Sequence, residues 1–420
     1  MRHRSLSVGC RAVLPIIAAI LILTGIAATQ ETILANLNSS GGEVLPKGNL
    51  IADAAGNLYG TSFYGGQHDQ GTVYELWPTA HGYKGAVLHS FNPNGVDGFG
   101  PMSGVIMDKA GDLYGSTEFG GSGSCSNGFG CGTVFKLTHT STGWHETILH
   151  DFQGSDGWQS YGPLTMDSDG NLYGTTANGG AYRQGTVYKL SLSGGTWNLT
   201  TLYDFQGGND GGVSWAGVVF DSAGNLYGVA SEGGGTNATC SYGCGTVFEL
   251  SPTSSGEWTE TILHNFTIDP NDGEFPSNTL IFDSAGNLYG TTSQGGGATQ
   301  AGIVFELSPG TNGEWTEMML HNFNDRSTDG VNPSSVLVPD ASGNLYGETL
   351  VGGLYGQGTV FMLKPGTYRL WQETLLHNFK VKNDGNNPNG LMMGPDGQLF
   401  GTTGFGGRFG DGTVFELSHK

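Results

Sequence analysis

Basic residues are scarce in this 420-residue chain: 16 Lys and Arg stand against 37 Asp and Glu, for a formal charge of −21. Binding to phosphate backbones needs basic patches that displace counterions. None is present, so nucleic acid is excluded as a partner. An acidic, lysine-poor chain suits an extracellular protein or one that handles cations or neutral polymers. Helical periodicity is missing too. No stretch repeats its apolar residues every 3.6 positions, which excludes α/β architectures. No G-x-S-x-G, H-E-x-x-H, P-loop or dinucleotide string stands in a usable context. Cysteine is limited to five residues, and long apolar runs to one.

That run, Ala12 to Ala28, follows Arg2, Arg4 and Arg11 and ends in small residues, so residues 1–28 read as a secretory signal cut near Ala27 or Ala28. An uncleaved anchor is the alternative, since about 17 apolar residues lie at the lower edge for spanning. Cleavage takes the formal charge from −21 to −24 and leaves four cysteines, Cys125, Cys131, Cys240 and Cys244. An even number in an exported chain favours disulfides. The pairs are local, each just before a CGTVF string, and are expected to staple two enlarged loops. Zinc is the weaker reading, because structural zinc prefers C-x2–4-C pairs with four ligands together.

What abounds is glycine, 75 residues, about 18% against roughly 7% on average. It punctuates a repeat. The aromatic of an L-Y/F-G string recurs at Tyr59, Tyr114, Tyr173, Tyr227, Tyr289, Tyr346 and Phe400, in steps of 54 to 62 residues. Each unit holds four strand-like pieces, typified by LIFD (280–283), NLYGTT (287–292), GIVFEL (302–307) and WTEMMLHNF (315–323). Four antiparallel strands repeated seven times specify an all-β, seven-bladed β-propeller, one domain over residues 31–420. The chain opens on a fourth-type strand, ETILANL (31–37), and closes on a third-type strand, GTVFEL (412–417). The N-terminal strand is therefore expected to complete the last blade and close the ring. DSAGN between first and second strands reads as a hairpin turn. The glycine after each aromatic marks a bulge or a close approach of packed blades.

The composite motif, GTVFELSPTSSGEWTETILHNF followed by DG, P and LIFDSAGNLYGTTSQGG, resembles the GloVer tandem repeat of exported bacterial proteins over about residues 31–418. That resemblance implies an exported repeat protein. It brings no activity and no catalytic residues. A weaker similarity is to NHL-type propellers.

By propeller geometry the DG…P loops and the GG…GT loops share one face. The first set carries Asp97, Asp156, Asp210, Asp272, Asp329 and Asp384. Six carboxylates around a channel could hold a cation such as calcium or an acid beside a substrate. Plain Asp-Gly turn chemistry is the simpler reading, and no cofactor is expected. Residues in which the units differ are more informative. Phe99, Trp158, Tyr161, Trp215 and Phe275 follow the aspartates, and Tyr64, Phe119, Phe129, Tyr182, Tyr242 and Phe409 lie in the other loops. Aromatic faces beside Asp, Asn and Gln suit sugar rings, and they also suit protein interfaces. His89, His150, His264, His321 and His377 recur at one fourth-strand position, with Tyr203 and Ala35 replacing them elsewhere. A repeated histidine reads as structural, hydrogen-bonded within its blade.

The expected function is that of a secreted or periplasmic monomeric scaffold. It would bind a glycan or an envelope protein through the loop face, without catalysis. The alternative is an extracellular lyase or hydrolase with a shallow site at the channel mouth. A pocket joining His68, Arg183, Arg326 or Arg408 to an Asp-Gly carboxylate would favour the enzyme. A broad aromatic surface would favour binding.

Overall fold

The computed structural model describes residues 29–38, 42–125, 128–235, 240–324, 328–367, 370–380 and 383–419. Residues 1–28, read above as a secretory signal, and Arg326 lie outside them. Among these residues there is no α-helix, and no helix long and apolar enough to cross a membrane. The strands form seven antiparallel blades, each four strands deep and strung around a central channel as a β-propeller. Blade 1 comprises Val44–Ala52, Leu58–Tyr64, Thr72–Thr79 and Gly82–Ser90. In blades 5 and 6 the first strand breaks into two pieces, Gly273–Pro276 with Ile281–Phe282 and Gly330–Pro333 with Val338–Pro339.

The ring closes as the chain ends imply. Blade 7 takes Gly385–Met393, Leu399–Gly406 and Thr413–His419 from the C-terminus and Thr29–Asn36 from the N-terminus. Glu31 pairs with Leu417, and Asn36 with Thr413. The amide of Leu37 then donates to Gly412 O at 3.0 Å. Leu37, 2% exposed, packs with Tyr74 of blade 1 and Val414 of blade 7.

Turn chemistry explains why the hairpin string recurs. Asp283 Oδ1 accepts the amides of Ala285 and Asn287, while Oδ2 accepts Asn287 Nδ2 and the Tyr289 hydroxyl. The aspartate thus ties the turn to the aromatic of the next strand. Blade 7 has lost both partners together, with Gly394 and Phe400 in their places. The following glycine faces its own blade rather than a neighbouring one. A Cβ on Gly290 would sit 2.5 Å from the Phe305 ring, which lies across it from the paired third strand.

The core lies between blades. Leu263 and Phe266 of blade 4 pack with Leu280, Leu288 and Phe305 of blade 5. Phe266 and Phe305 meet edge to face at 5.2 Å, and the same pair recurs as Phe91–Phe135, Phe323–Phe361 and Phe379–Phe415. Burying each such ring contributes about 1.5–3 kcal/mol. Trp144, Trp197, Trp315 and Trp371 each pack against the L-Y-G tyrosine of the preceding blade. Every fourth strand carries a register shift beside this core, for example between Val304 and Phe305, which pair with His321 and Met319. The unpaired Leu320 drops into the core, and the bulge turns His321 towards the next blade.

Candidate functional site

The first strands surround a cavity of about 590 Å³ at the channel mouth. One repeat position supplies its rim, the residue after the proline (or its serine replacement) of each DG…P loop. Blades 1 to 7 place Lys47, Met102, Tyr161, Trp215, Ser277, Ser334 and Asn389 there, all on the cavity wall. The ring is two-sided. Met102, Tyr161 and Trp215 form an apolar arc, and Ser277, Ser334, Asn389 and Lys47 a polar one. Trp215 is 51% exposed and meets the Tyr161 ring edge-on at 6.3 Å.

Backbone constraints hold this rim. The residue two places before each rim position lies at positive φ in every blade, with Leu45, Gln159, Val213, Phe275, Asn332 and Asn387 at 54° to 61°. Such backbone persists where surrounding bonds over-determine it. Each of these amides donates to a carbonyl of the preceding blade, as Gln159 does to Cys131 O at 3.2 Å and Phe275 to Cys244 O at 2.7 Å. The disulfides Cys125–Cys131 and Cys240–Cys244 therefore lie directly behind two rim supports. Side chains continue the circle: Ser334 Oγ donates to Pro388 O at 2.8 Å and Asn389 Nδ2 to Pro46 O at 2.9 Å.

One charged group stands buried in the wall. Glu118, 8% exposed, accepts Tyr161 Oη–H at 2.8 Å and Gln159 Nε2–H at 3.0 Å through Oε1. Burial raises its carboxyl above the usual range, against the pull of those donors and of Lys47. Burial lowers the Lys47 ammonium, opposed by Glu118. The sequence reading missed both residues. The available signal was disagreement among copies, because Glu118 stands where other units have Phe63, Ala177, Ser231, Ser293, Leu350 and Gly404.

Of the aromatic candidates, Tyr161 and Trp215 reach the cavity. Phe99 stacks with Phe119 at 5.4 Å, and Trp158 and Phe275 pack half-buried against inter-blade clusters. Tyr64, Phe129, Tyr182, Tyr242 and Phe409 are exposed in the second-to-third-strand loops. His68, Arg183 and Arg408 do not line the cavity.

The Asp-Gly aspartates are not in the cavity wall. They meet the fourth-strand histidines, and the bonding runs between blades. His89, Asp97 and Glu146 gather where blade 1 meets blade 2. His264, Asp272 and Glu317 do so at 4/5, His321, Asp329 and Glu373 at 5/6, and His377, Asp384 and Glu31 at 6/7. In each group the glutamate comes from the next blade's fourth strand. His89 Nε2 lies 3.4 Å from Asp97 and 3.5 Å from Glu146. His321 lies 3.3 Å from Asp329 and 3.7 Å from Glu373. Burial first, then the facing aspartate, pushes Glu31 and Glu146 far above the carboxylate range. At junction 2/3 Leu199 replaces the glutamate, and His150 lies 2.8 Å from Asp156. There burial raises the Asp156 carboxyl, but the His150 bond and charge and the Gln153 amide together hold it low. At junction 7/1 all three members are missing: Ala35 and Gly85 stand in the strands, and the loop carries no Asp-Gly pair.

Seven like blades around a lined mouth define a repeat-built β-propeller. The chain belongs to the Gloeobacter/Verrucomicrobia repeat family, whose model matches residues 24–240 and 234–420. No curated protein matches it. Among solved structures it is similar to the extracellular domain of a provisionally assigned hybrid two-component system from B. thetaiotaomicron. That match has a TM-score of 0.55 and 13% identity, over 92% of this chain and 39% of that one. The extracellular domain of a provisionally assigned one-component system from the same organism matches with TM-score 0.53 and 11% identity, over 93% and 40%. A provisionally assigned gluconolactonase matches with TM-score 0.43 and 14% identity, over 93% and 92%. The chain thus spans about two fifths of the two B. thetaiotaomicron chains. At these identities the likeness is one of fold.

Proposed function

We propose that this protein is an exported scaffold that binds a neutral saccharide at the channel mouth. The observation that carries the reading is the two-sided rim, with Tyr161 and Trp215 facing serine and asparagine side chains across one cavity. A sugar ring has an apolar face and polar edges, and such a rim offers both. The exposed tyrosines and phenylalanines of the outer loops extend the surface for a longer chain. Disulfide-stapled loops behind the rim fit an oxidising, extracellular setting. The test is a glycan array followed by calorimetry on the best glycan. Trp215→Ala is expected to weaken binding at least tenfold with the fold intact, while Trp158→Ala, away from the cavity, leaves it unchanged. Equal affinity for Trp215→Ala and wild type would refute the site.

A second reading rests on Glu118 and Lys47, an acid raised and a base lowered on the same wall. Such a pair suits proton transfer in a lyase or hydrolase. Under that reading Glu118→Gln abolishes turnover of the bound glycan but keeps binding. Under the scaffold reading the wild type releases its glycan intact.

A further inference from the structure

The inter-blade clusters of histidine, aspartate and glutamate present an arrangement that hydrogen bonding alone does not complete. In the 1/2 cluster Asp97 is more than nine-tenths buried, yet its Oδ1 has no partner. Neither does Oε1 of Glu146 or Nε2 of His89. Glu31, Glu317 and Glu373 each leave the same Oε1 buried and unpartnered at the other three junctions. An ionised carboxylate only accepts. Two of them facing one another with an imidazole nitrogen require a cation or a proton between them.

We propose that these four junctions are divalent-metal sites of the zinc class. Each would have one imidazole nitrogen and two carboxylates, and each would staple the outer strands of adjacent blades.

Three observations support it. First, spacing. Metal bonds of about 2.0–2.1 Å in a tetrahedron set ligand atoms roughly 3.3 Å apart. The nitrogen-to-oxygen contacts in these clusters are 3.2 to 3.7 Å, except that Glu317 stands farther from His264, within the 4.8 Å that spans its cluster. Second, an internal control. Where Leu199 removes the glutamate, the remaining pair contracts to the 2.8 Å of an ordinary hydrogen bond. Third, joint loss. The 7/1 junction has given up all three members, as a ligand set would. The nitrogen donor and the three-residue set argue against calcium, which takes six to eight oxygens, and for zinc or a similar transition ion. A fourth position remains for water.

The test is metal uptake by the purified protein after stripping with chelator, with Zn²⁺ for counting and Co²⁺ for spectroscopy. Four equivalents are expected, with the visible absorption of tetrahedral Co²⁺. His264→Gln should lose one equivalent. His150→Gln should lose none, because its cluster has no glutamate. Leu199→Glu should gain one, which keeps the proposal testable if His264→Gln does not fold. Failure of the stripped wild type to take up either ion would overturn the proposal in favour of a shared proton. So would counts that ignore both His264→Gln and Leu199→Glu.

Discussion

Tyr203 donates its hydroxyl to Glu260 Oε2 at 3.1 Å across the junction of blades 3 and 4, and also to Asp210. This is the position that carries histidine in five other blades. A phenol that shares its one proton between two carboxyls does neutrally what the other junctions do with an imidazole. Tyr203→Phe removes the phenol donor from both part-buried carboxyls, although Asp210 keeps the Gln206 amide. It is expected to cost about 1–3 kcal/mol, read as a lower urea midpoint at unchanged m-value. Tyr203→His should recover that loss when Zn²⁺ is supplied and not in chelator.

The raised glutamates give the metal-stripped protein a defined pH dependence. Burial and Asp210 push Glu260 up to about 9, burial pushes Glu317 up to about 7, and Glu146 and Glu31 move the same way. A folded pKa above the unfolded value means that the folded state holds extra protons. That stability is complete below the ordinary glutamate range near 4.5 and is lost as pH rises through 7 to 9. The turn aspartates act oppositely. Turn hydrogen bonds together outweigh burial and hold Asp53, Asp167, Asp221, Asp283 and Asp340 low, so their contribution disappears in acid. In EDTA the thermal midpoint is therefore expected to peak at about pH 5 and fall by several degrees towards pH 9. Zn²⁺ takes the place of the proton and should flatten the alkaline side. A midpoint that rises from pH 5 to 9 in EDTA would contradict the assignment.

The double variant Cys125→Ser, Cys131→Ser removes a staple that closes a short loop, worth about 2–3 kcal/mol by chain entropy. The ring does not depend on it, since the blades on either side pair through backbone and core. Far-ultraviolet dichroism should be unchanged and the midpoint lower by a few degrees. Because Cys131 O receives the Gln159 amide, and Gln159 holds Glu118, hydrogen exchange should quicken at 159–161 specifically. Cys131 is buried in the core between blades 2 and 3, so cooperative collapse of the whole fold would show that this core contact, not the loop staple, dominates.

How much of this was visible beforehand follows from how local each signal is. Asp283, Asn287 and Tyr289 lie within seven residues of one another and satisfy each other, so copies of that string revealed blade number, strand order and closure. Asp272 has local turn partners in Thr267 and Gly273, but its contacts with His264 and Glu317 are not announced locally. They are set by the bulge at Leu263, which no residue type announces, and by Glu317 from the next blade, so the aspartate ring seemed to face the channel. The rim was half legible. Trp215 and Tyr161 stood out as unequal aromatics, but Lys47, Ser277, Ser334 and Asn389 are unremarkable until the seven positions are superposed.

Glu348 is a fully buried carboxyl in the inner strands, with only the Gly390 amide and the Ser335 hydroxyl near it as weak donors. Burial raises it well above its ordinary range. Other blades carry Thr175, Thr291 or Thr402 at the same position, and Thr175 Oγ donates to Ala216 O at 2.5 Å. Burying an acid whose donors do not offset its desolvation is costly, so Glu348→Thr is expected to stabilise by about 1–3 kcal/mol. The mirror change Thr291→Glu should destabilise by a similar amount. Chemical denaturation of both settles the sign. If Glu348→Thr instead weakens the protein, the Gly390 and Ser335 bonds outweigh the cost of burial.

The closing strand supports the most demanding expectation. Among the described residues Thr29–Asn36 supplies the only strand partner for the outer edge of Thr413–His419, and Leu37 fills the 7/1 core beside Tyr74. Deleting residues 29–38 leaves that strand as a bare edge and opens a seam between two blades, a template for pairing between chains. The truncated protein is expected to aggregate or to unfold without a single cooperative transition. What the ring needs is the strand in place, not its position in the chain. A permuted protein with residues 29–38 joined through a short glycine linker after residue 419 should therefore melt within a few degrees of wild type. Equal stability of the truncated form, by calorimetry and light scattering, would show that the blades hold without closure.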